Sequence, residues 1–394
     1  MIRAAPSVLN DPALQAVLAV LPEARLVGGA VRDTLAGLPV HDIDLATPRK
    51  PEAIITALRA AGLKAIPTGI AHGTVTAVAD HRGFEVTTLR RDIATDGRHA
   101  VVAFTDDWRE DAARRDFTIN AMSMAADGAV FDYFNGIEDL RAGRLRFVGD
   151  PASRIAEDYL RILRFFRFWA RFASQPPDIA TRAALSAGIP GLARLSVERV
   201  WNELSRLLAT PDPVPAIMLM DELGVLAATL PEGTAPPRLA RLVAAGAPAD
   251  PLLRLAALLT ANAASLATRL RLASAEREKL IALSELPSPM PELDDNALRR
   301  MLADTAADIL IGRTWLAGLA DPAWDHLRFR LATLPRPRFA LEGRDALALG
   351  VPPGPRIGDL LRQVRLWWLA GGCTAPPDRC RAELRRLVDA SAPQ

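Results

Sequence analysis

Hydrophobic and polar positions follow two different periods along the chain, and the change falls at about residue 150. Before it, short apolar runs that are typical of buried strands alternate with amphipathic helical segments. The runs at 24–29 and 42–47 are predicted strands, and the segments at 30–38 and 51–62 are predicted helices. This mixture predicts an α+β domain.

Two further segments of the first part differ in character. Residues 73–80 and 84–90 alternate between apolar and polar positions and flank His81-Arg82-Gly83, which predicts a β-hairpin. The stretch from Arg91 to Asp111 is polar and predicts a long mobile loop.

After residue 150, apolar residues recur at helical spacing between proline and glycine breaks. Single helices are predicted at 196–208, 215–230, 251–259 and 297–310. The fold class is therefore a mixed-sheet domain followed by an elongated all-helical part. We expect a head at 1–150, a helical neck and body at 151–270, and a helical tail at 271–394.

Composition adds little to this picture. The chain has 394 residues, of which half are apolar and 24% are charged, as in soluble globular proteins. No apolar run is long enough for a membrane span, and the N-terminus lacks the features of a signal peptide. Two cysteines, Cys373 and Cys380, are too few for a disulfide framework and suit a reducing cytoplasm.

Charge is nearly balanced at +2, but all except three of the 48 basic residues are arginine. The arginine fork pairs well with phosphate, so a nucleic acid or a nucleotide is a possible partner. A GC-rich genome explains the same bias, and composition alone favours that explanation.

Asp42 and Asp44 form the sharpest candidate site. On a strand, residues i and i+2 point to one face about 6.5–7 Å apart. Two such carboxylates can hold a pair of Mg²⁺ ions about 3.5–4 Å apart, as in-line phosphoryl transfer requires. Glu85, between Phe84 and Val86 on the predicted hairpin, is a candidate third acid. An isolated Asp-x-Asp is more often a solvated strand end, so its surroundings matter.

Those surroundings include a glycine turn just upstream. Gly28 and Gly29 lie between a predicted strand and a predicted helix, where backbone N–H groups can approach a phosphate closely. Arg32, one turn into that helix, can reach the same anion. A glycine turn followed at this distance by Asp-x-Asp is typical of a nucleotidyltransferase of the polymerase-β type.

Four segments in a fixed order make the interpretation more specific. They are LVGGAVRDTLAGLPVHDIDLAT (26–47), RRDFTINAM (114–122), DYFNGIEDL (132–140) and EDYLRILRFFRF (157–168). Together with SVERVWNEL (196–204), they resemble the class II, bacterial-type CCA-adding enzymes and the related bacterial poly(A) polymerases.

The resemblance implies a role for each matching residue. It places metal binding at Asp42 and Asp44, with Glu85 beside them as the candidate third acid. It places the triphosphate at Gly28, Gly29 and Arg32, and the ribose at Arg115 and Asp116. The implied substrates are CTP, ATP and the acceptor arm of tRNA, with two Mg²⁺ ions. A membrane or an obligate protein partner is not expected.

Base choice is assigned to the segment that begins at Glu157. Asp158 and Arg161 are three residues apart and are expected on one face of one helix. There the aspartate accepts from an exocyclic amine and the arginine donates to the adjacent ring nitrogen, which selects C and A over G and U. Arg164 and Arg167 are expected to complete the base and phosphate contacts.

Three other functions remain open. Bacterial poly(A) polymerases usually carry a basic stretch before the hairpin, and residues 68–74 contain neither lysine nor arginine, which favours CCA addition. A non-catalytic RNA-binding module would usually lose a carboxylate that is intact here. An enzyme that transfers a nucleotide to a small molecule would not need the base-selecting segment or a long helical part.

Overall fold

The computed structural model describes residues 2–3, 7–95, 100–318 and 321–390. The chain divides into two compact units, Met1–Pro231 and Glu232–Gln394. Among the described residues, no helix has both the length and the apolar character needed to cross a bilayer.

The first unit contains all the strands and the first eleven α-helices of the described chain. The strands are β1 Ile2–Arg3, β2 Arg25–Val27, β3 Asp44–Thr47, β4 Lys64–Gly69, β5 Thr74–Ala79, β6 Arg82–Thr88, β7 Arg90–Thr95, β8 Ala100–Phe104, β9 Met122–Met124 and β10 Ala129–Asp132. The helices are α1 Pro12–Val20, α2 Gly29–Leu35, α3 Pro51–Ala60, α4 Trp108–Ala113, α5 Gly136–Arg141, α6 Pro151–Glu157, α7 Leu160–Phe172, α8 Ile179–Ala187, α9 Val197–Leu208, α10 Val214–Glu222 and α11 Val225–Thr229.

Eight of these strands form one mixed sheet in the order β1-β10-β9-β2-β3-β6-β5-β4. β3 and β6 run parallel, and this register pairs Asp44 with Glu85, whereas the other neighbours are antiparallel. Phe84 and Val86 are fully buried in the core between the sheet and the helices α1 and α3. Burial of a side chain of this size stabilises the fold by about 1.5–3 kcal/mol.

The predicted hairpin is confirmed, and the predicted loop is wrong. β5 and β6 pair through a turn in which Asp80 and His81 both have positive φ. Residues 91–111 contain most of the β7–β8 hairpin and the start of α4, with residues 96–99 outside the described part. This hairpin forms its own two-stranded sheet. Its second strand, β8, has the apolar sequence AVVAF, so the prediction of a polar loop overlooked a strand signal.

The second unit is helical throughout its described residues, apart from an isolated bridge between Thr234 and Leu259. Its helices are α12 Pro236–Ala244, α13 Pro251–Leu258, α14 Ala263–Arg269, α15 Ser274–Ser284, α16 Asp295–Asp304, α17 Ala307–Ala317, α18 Pro322–Thr333, α19 Gly343–Leu347, α20 Pro355–Ala370 and α21 Pro377–Ala390. The predicted all-helical character is confirmed.

Two of the predicted single helices are each split into two. Gly224, with φ of 78°, separates α10 from α11, and extended backbone at Thr305 separates α16 from α17.

The boundary between the two compact units falls after residue 231 of the chain, whereas the sequence suggested boundaries at about 150 and 270. The functional segments 1–150, 151–270 and 271–394 stay predictions.

Helix α7 positions the arginines of the site. Phe165, Phe166 and Phe168 are buried, and the ring of Phe165 lies 6.1 Å from that of Phe117. Arg161, Arg164 and Arg167 are spaced three apart on the less buried side of the same helix. Packing of the phenylalanines, and contact with α9, therefore fix the direction in which these arginines point.

Candidate active site

A cavity of about 600 Å³ opens beside α2, the start of β3 and α7. Every predicted site residue except Glu85 lines it: Gly28, Gly29, Arg32, Asp42, Asp44, Arg115, Asp116, Asp158, Arg161, Arg164 and Arg167. Six further residues line it: Asp33, His41, Asn120, Phe168, Arg171 and Arg206. Side chains from five separated segments of the chain are thus brought to one place.

The backbone of the glycine turn favours glycine at position 28. Gly28 caps α2 with φ of 64° and ψ of −121°, a conformation that L side chains rarely adopt. A Cβ atom there would lie 2.9 Å from Nη1 of Arg115, so the end of this flexible side chain would have to shift. The start of a helix also favours an anion, because its first N–H groups lack helical acceptors.

Arg32 is held firmly at this turn and is only 6% exposed. Its Nη1 donates to Oδ1 of Asn120 at 2.6 Å, and its Nε donates to Oδ1 of Asp33 at 2.9 Å. The guanidinium also lies 4.4 Å from the ring centre of Phe172. Burial lowers the pKa of Arg32 and Asp33 opposes this, but an arginine stays charged at neutral pH.

Asp42 and Asp44 flank the buried Ile43, and both carboxylates are exposed to solvent. The strand begins at Asp44, so Asp42 lies just before it rather than within it. Asp44 is exposed, but the residues of the cavity around it remove part of its hydration, and this partial desolvation raises its pKa. Repulsion from the carboxylates of Glu85 and Asp42 raises the pKa of Asp44 further. The nearby Arg115 partly opposes these effects.

This carboxylate pair fits a divalent cation, because a cation would relieve the repulsion and oxygen ligands suit Mg²⁺. Within the described residues, no three His, Cys, Asp or Glu side chains are grouped closely enough to hold one metal. Glu85 is exposed between two buried neighbours and lies outside the cavity lining. Its part as a third acid stays a prediction.

Arg115 and Asp116 both line the cavity, but each has its own partner. Nη2 of Arg115 donates to Oδ2 of the buried Asp111 at 3.2 Å. Oδ2 of Asp116 accepts from Nε and Nη2 of Arg164 at 2.8 and 2.5 Å. Burial opposes the charge of Asp116, yet Arg164 and its hydrogen bonds hold its pKa below the usual range, so it is ionised at neutral pH.

The helical geometry predicted for Asp158 and Arg161 is wrong, although both line the cavity. Asp158 ends α6 with extended backbone, and Arg161 belongs to the next helix, α7. Oδ2 of Asp158 accepts from Nη2 of Arg199 at 2.7 Å, while Nη1 of Arg161 donates to Glu157 at 2.5 Å. Both residues therefore reach the cavity from the bend between two helices.

Arg164 and Arg167 share a buried counter-ion that the sequence did not suggest. Glu203 of α9 is 4% exposed and accepts from Nε of Arg167 at 2.6 Å. Its other oxygen lies 3.7 Å from Nη1 of Arg164. Phe168 lies beneath three arginines, with its ring centre 4.3 Å from the guanidinium of Arg167.

Three polar residues of this network were missed: Asp111, Asn120 and Glu203. Each is buried and holds at least one of the cavity arginines. Asn120 and Glu203 lie inside two segments that the sequence analysis singled out, RRDFTINAM and SVERVWNEL. A search of these segments for polar residues at positions that the pattern predicts to be buried could have found them.

Comparison with known proteins agrees with this geometry. Two family models match: the poly A polymerase head domain over residues 24–146, and the probable RNA and SrmB-binding site of polymerase A over 177–235. CCA tRNA nucleotidyltransferase 1, mitochondrial, of Mus musculus is 35% identical over 92% of this chain and 87% of its own length. The chain belongs to the CCA-adding enzyme family.

Other members of the CCA-adding enzyme family match along nearly the whole chain. The CCA-adding enzyme of Lacticaseibacillus paracasei is 33% identical over 91% of each chain. The crystal structure of the Bacillus stearothermophilus CCA-adding enzyme in complex with CTP superimposes with a TM-score of 0.75 and 28% identity, over 96% of this chain and 98% of that one. The predicted family and fold class are confirmed.

Proposed function

We propose that this protein adds C, C and A to the 3′ ends of tRNA without a nucleic-acid template, using CTP and ATP and releasing pyrophosphate. The observation that carries the proposal is the cavity beside α2, β3 and α7 in the first unit. It gathers a carboxylate pair, a glycine turn with a fixed arginine, and the Asp158–Arg161 pair. These features correspond to the metals, the triphosphate and the base of an incoming nucleotide.

The reaction joins the tRNA 3′ oxygen to the α-phosphorus of the nucleotide. The bond from that phosphorus to the bridging oxygen of the β-phosphate breaks, pyrophosphate leaves, and the hydroxyl proton passes to solvent. Two Mg²⁺ ions held by Asp42 and Asp44 would lower the pKa of the attacking hydroxyl and stabilise the leaving oxygen. Arg32, fixed by Asn120 and Asp33, would bind the triphosphate without having to be ordered first.

Arg115 and Asp116 would recognise the ribose of that nucleotide. A guanidinium donates and a carboxylate accepts, so together they can bind a hydroxyl, which both donates and accepts. Asp116 is held ionised by Arg164, which keeps it an acceptor at neutral pH. The pair would therefore favour a ribonucleotide over a deoxyribonucleotide.

Asp158 and Arg161 would choose the base. A carboxylate has about four acceptor positions, so Asp158 can accept from a base amine while it still holds Arg199. Cytosine and adenine present an amine beside a ring nitrogen, whereas guanine and uracil present a carbonyl that would oppose the aspartate. A mismatched base leaves a buried polar group unsatisfied, which supports strong rejection.

The helical second unit would contribute to tRNA binding. Arg344 and Arg362 are exposed there and pair with exposed carboxylates. Exposed ion pairs are worth about 0–1 kcal/mol, so these arginines can exchange their carboxylates for RNA phosphates at little cost.

The free thiols Cys373 and Cys380 are consistent with a reducing cytoplasm, which stays a prediction.

The test is an extension assay with purified protein, Mg²⁺ and a tRNA transcript that ends at its discriminator base. CTP and ATP are supplied separately and together, and products are resolved at single-nucleotide resolution. We expect two additions from CTP alone, none from ATP alone and three from the mixture. Asp44→Ala, purified in parallel, should add nothing and controls for host enzymes.

The alternative functions give different products. A long ladder from ATP alone would identify a poly(A) polymerase, which the head-domain match also describes. Binding of the transcript without any extension would indicate a non-catalytic RNA-binding protein. Equal activity of Asp44→Ala and the wild type would mean that the extension does not depend on Asp44, and the assay would then not support the proposed function.

A further inference from the structure

Asn120 is an uncharged side chain between two buried charges of opposite sign. Its Oδ1 accepts from Nη1 of Arg32 at 2.6 Å, and its Nδ2 donates to Oδ1 of Asp116 at 2.9 Å. Arg32, Asn120 and Asp116 are 6%, 6% and 8% exposed, so this bridge is screened from water. An intact buried amide that links two charged site residues calls for a functional explanation.

We propose that Asn120 is a positioning residue that fixes the distance between the triphosphate end and the ribose end of the bound nucleotide. It acts through Arg32 at one end and Asp116 at the other. The inference rests on the proposed function, because that function assigns the triphosphate to Arg32 and the ribose to Asp116.

The chemistry of the two partners determines which way the amide of Asn120 points. A guanidinium can only donate and an ionised carboxylate can only accept. The amide oxygen must therefore face Arg32, and the amide nitrogen must face Asp116. An aspartate at position 120 would repel Asp116, and an alanine would reach neither partner. Among residues of this length, an amide alone serves both.

The bridge joins two ion pairs through hydrogen bonds, in addition to the ring of Phe168 that lies beneath both arginines. Arg32 is also bonded to Asp33, and the second oxygen of Asp116 accepts from Arg164. Asn120 therefore connects a pair at the start of α2 with a pair that reaches α7. Without the Asn120 side chain, each ion pair would keep its own contacts, but no hydrogen bond through residue 120 would fix the distance between Arg32 and Asp116.

The backbone around Asn120 is rigid enough for this task. Asn120 ends a 3-10 turn, Thr118–Asn120, and its N–H donates to the carbonyl of Phe117 at 2.9 Å. Phe117 is fully buried, and its ring centre lies 4.9 Å from that of Phe147. The hydroxyl of Thr118 donates to the buried Asp139 at 2.7 Å. The turn is thus anchored on the side away from the cavity.

The test compares CTP with dCTP in single-nucleotide addition to a tRNA transcript. If Asn120 sets the position of Asp116, Asn120→Ala should lower kcat/KM for CTP by about thirtyfold, as expected for loss of a charge-assisted hydrogen bond. The loss for dCTP should be smaller, because dCTP lacks the 2′-hydroxyl that Asp116 would accept from. The CTP/dCTP ratio of kcat/KM should therefore fall about fivefold or more.

Thr118→Val is the matched control, since it removes one buried hydrogen bond from the same turn but on the side of Asp139. It should leave the CTP/dCTP ratio unchanged. An equal fall in the ratio for both variants, or equal losses for CTP and dCTP in Asn120→Ala, would overturn the positioning role. The proposed function would survive that result, whereas a wild-type protein that adds no nucleotide would overturn the proposed function itself.

A second variant decides the question if Asn120→Ala fails to fold. Asn120→Asp has the same shape and still accepts from Arg32, but it loses the N–H that donates to Asp116 and sets a carboxylate against that of Asp116. The CTP/dCTP ratio of kcat/KM should therefore fall about fivefold or more in Asn120→Asp, because the change is confined to the ribose end of the bridge. An unchanged ratio in this variant would refute the bridge.

Discussion

Replacement of the buried Glu203 by glutamine tests whether ion pairs hold α7 against α9. The carboxylate is 4% exposed, accepts from Arg167 at 2.6 Å and lies 3.7 Å from Arg164. Glutamine keeps the volume and one acceptor oxygen but removes the charge. The two arginines then stay largely buried with less compensation, and burial already lowers the pKa of Arg167.

The expected loss of folding stability in Glu203→Gln follows from the contacts that Arg164 and Arg167 keep. Removal of one partner from a buried ion pair destabilises a protein by about 3–5 kcal/mol. Here Arg167 keeps a neutral acceptor and Arg164 keeps Asp116, so we expect about 2–3 kcal/mol. For a unit of this size, that corresponds to a fall in Tm of about 4–10 °C.

Thermal unfolding followed by circular dichroism measures this change. Glu222→Gln is the matched control, because it makes the same chemical change at a carboxylate that is 60% exposed and pairs with Arg182. Its expected cost is about 0–1 kcal/mol. Equal Tm values for the two variants would refute the reasoning that Glu203 stabilises the contact between α7 and α9.

Three further predictions concern the cavity. Arg161→Ala should raise incorporation of UTP relative to CTP by about tenfold or more in single-turnover assays, and unchanged rejection of UTP would remove its role in base choice. Gly28→Ala puts an L side chain on a backbone with φ of 64° and ψ of −121° and displaces the guanidinium of Arg115, so it should lower kcat/KM for CTP by about tenfold to a hundredfold. Gly29→Ala, whose Cβ would lie 3.6 Å from its nearest neighbour, should be much milder. Folding lowers the pKa of Asp116, so its ionised carboxylate stabilises the folded protein at pH values above the ordinary aspartate pKa. This contribution to the free energy of unfolding is lost as the pH falls through the pKa of the folded state. In urea unfolding, Asp116→Asn should therefore lose less stability on acidification than the wild type does.

Local patterns in the sequence predicted several of the elements around the cavity. Alternation indicated the β5–β6 hairpin, and the glycine turn before α2 was visible as two glycines between a strand and a helix. One local cue was overlooked at Asp158. Its Oδ1 accepts from the N–H of Leu160 at 3.0 Å, as an aspartate that begins a new helix does. That cue predicts the break between α6 and α7.

The contacts that hold the site arginines could not be predicted in this way, because each joins residues far apart in the chain. Arg167 and Glu203 are separated by 36 positions, Arg164 and Asp116 by 48, and Arg32 and Asn120 by 88. Helical or strand spacing carries information over a few residues and none over such distances.

The long-range contacts also explain why the cavity can be formed before a nucleotide binds. An acid or an amide from another segment holds each of Arg32, Arg164 and Arg167. The elements that carry these partners come together only when the first unit folds, so the entropy of ordering the arginines is lost during folding and not during binding. A variant that loosens one partner should therefore weaken nucleotide binding even where it leaves every nucleotide-contacting side chain in place.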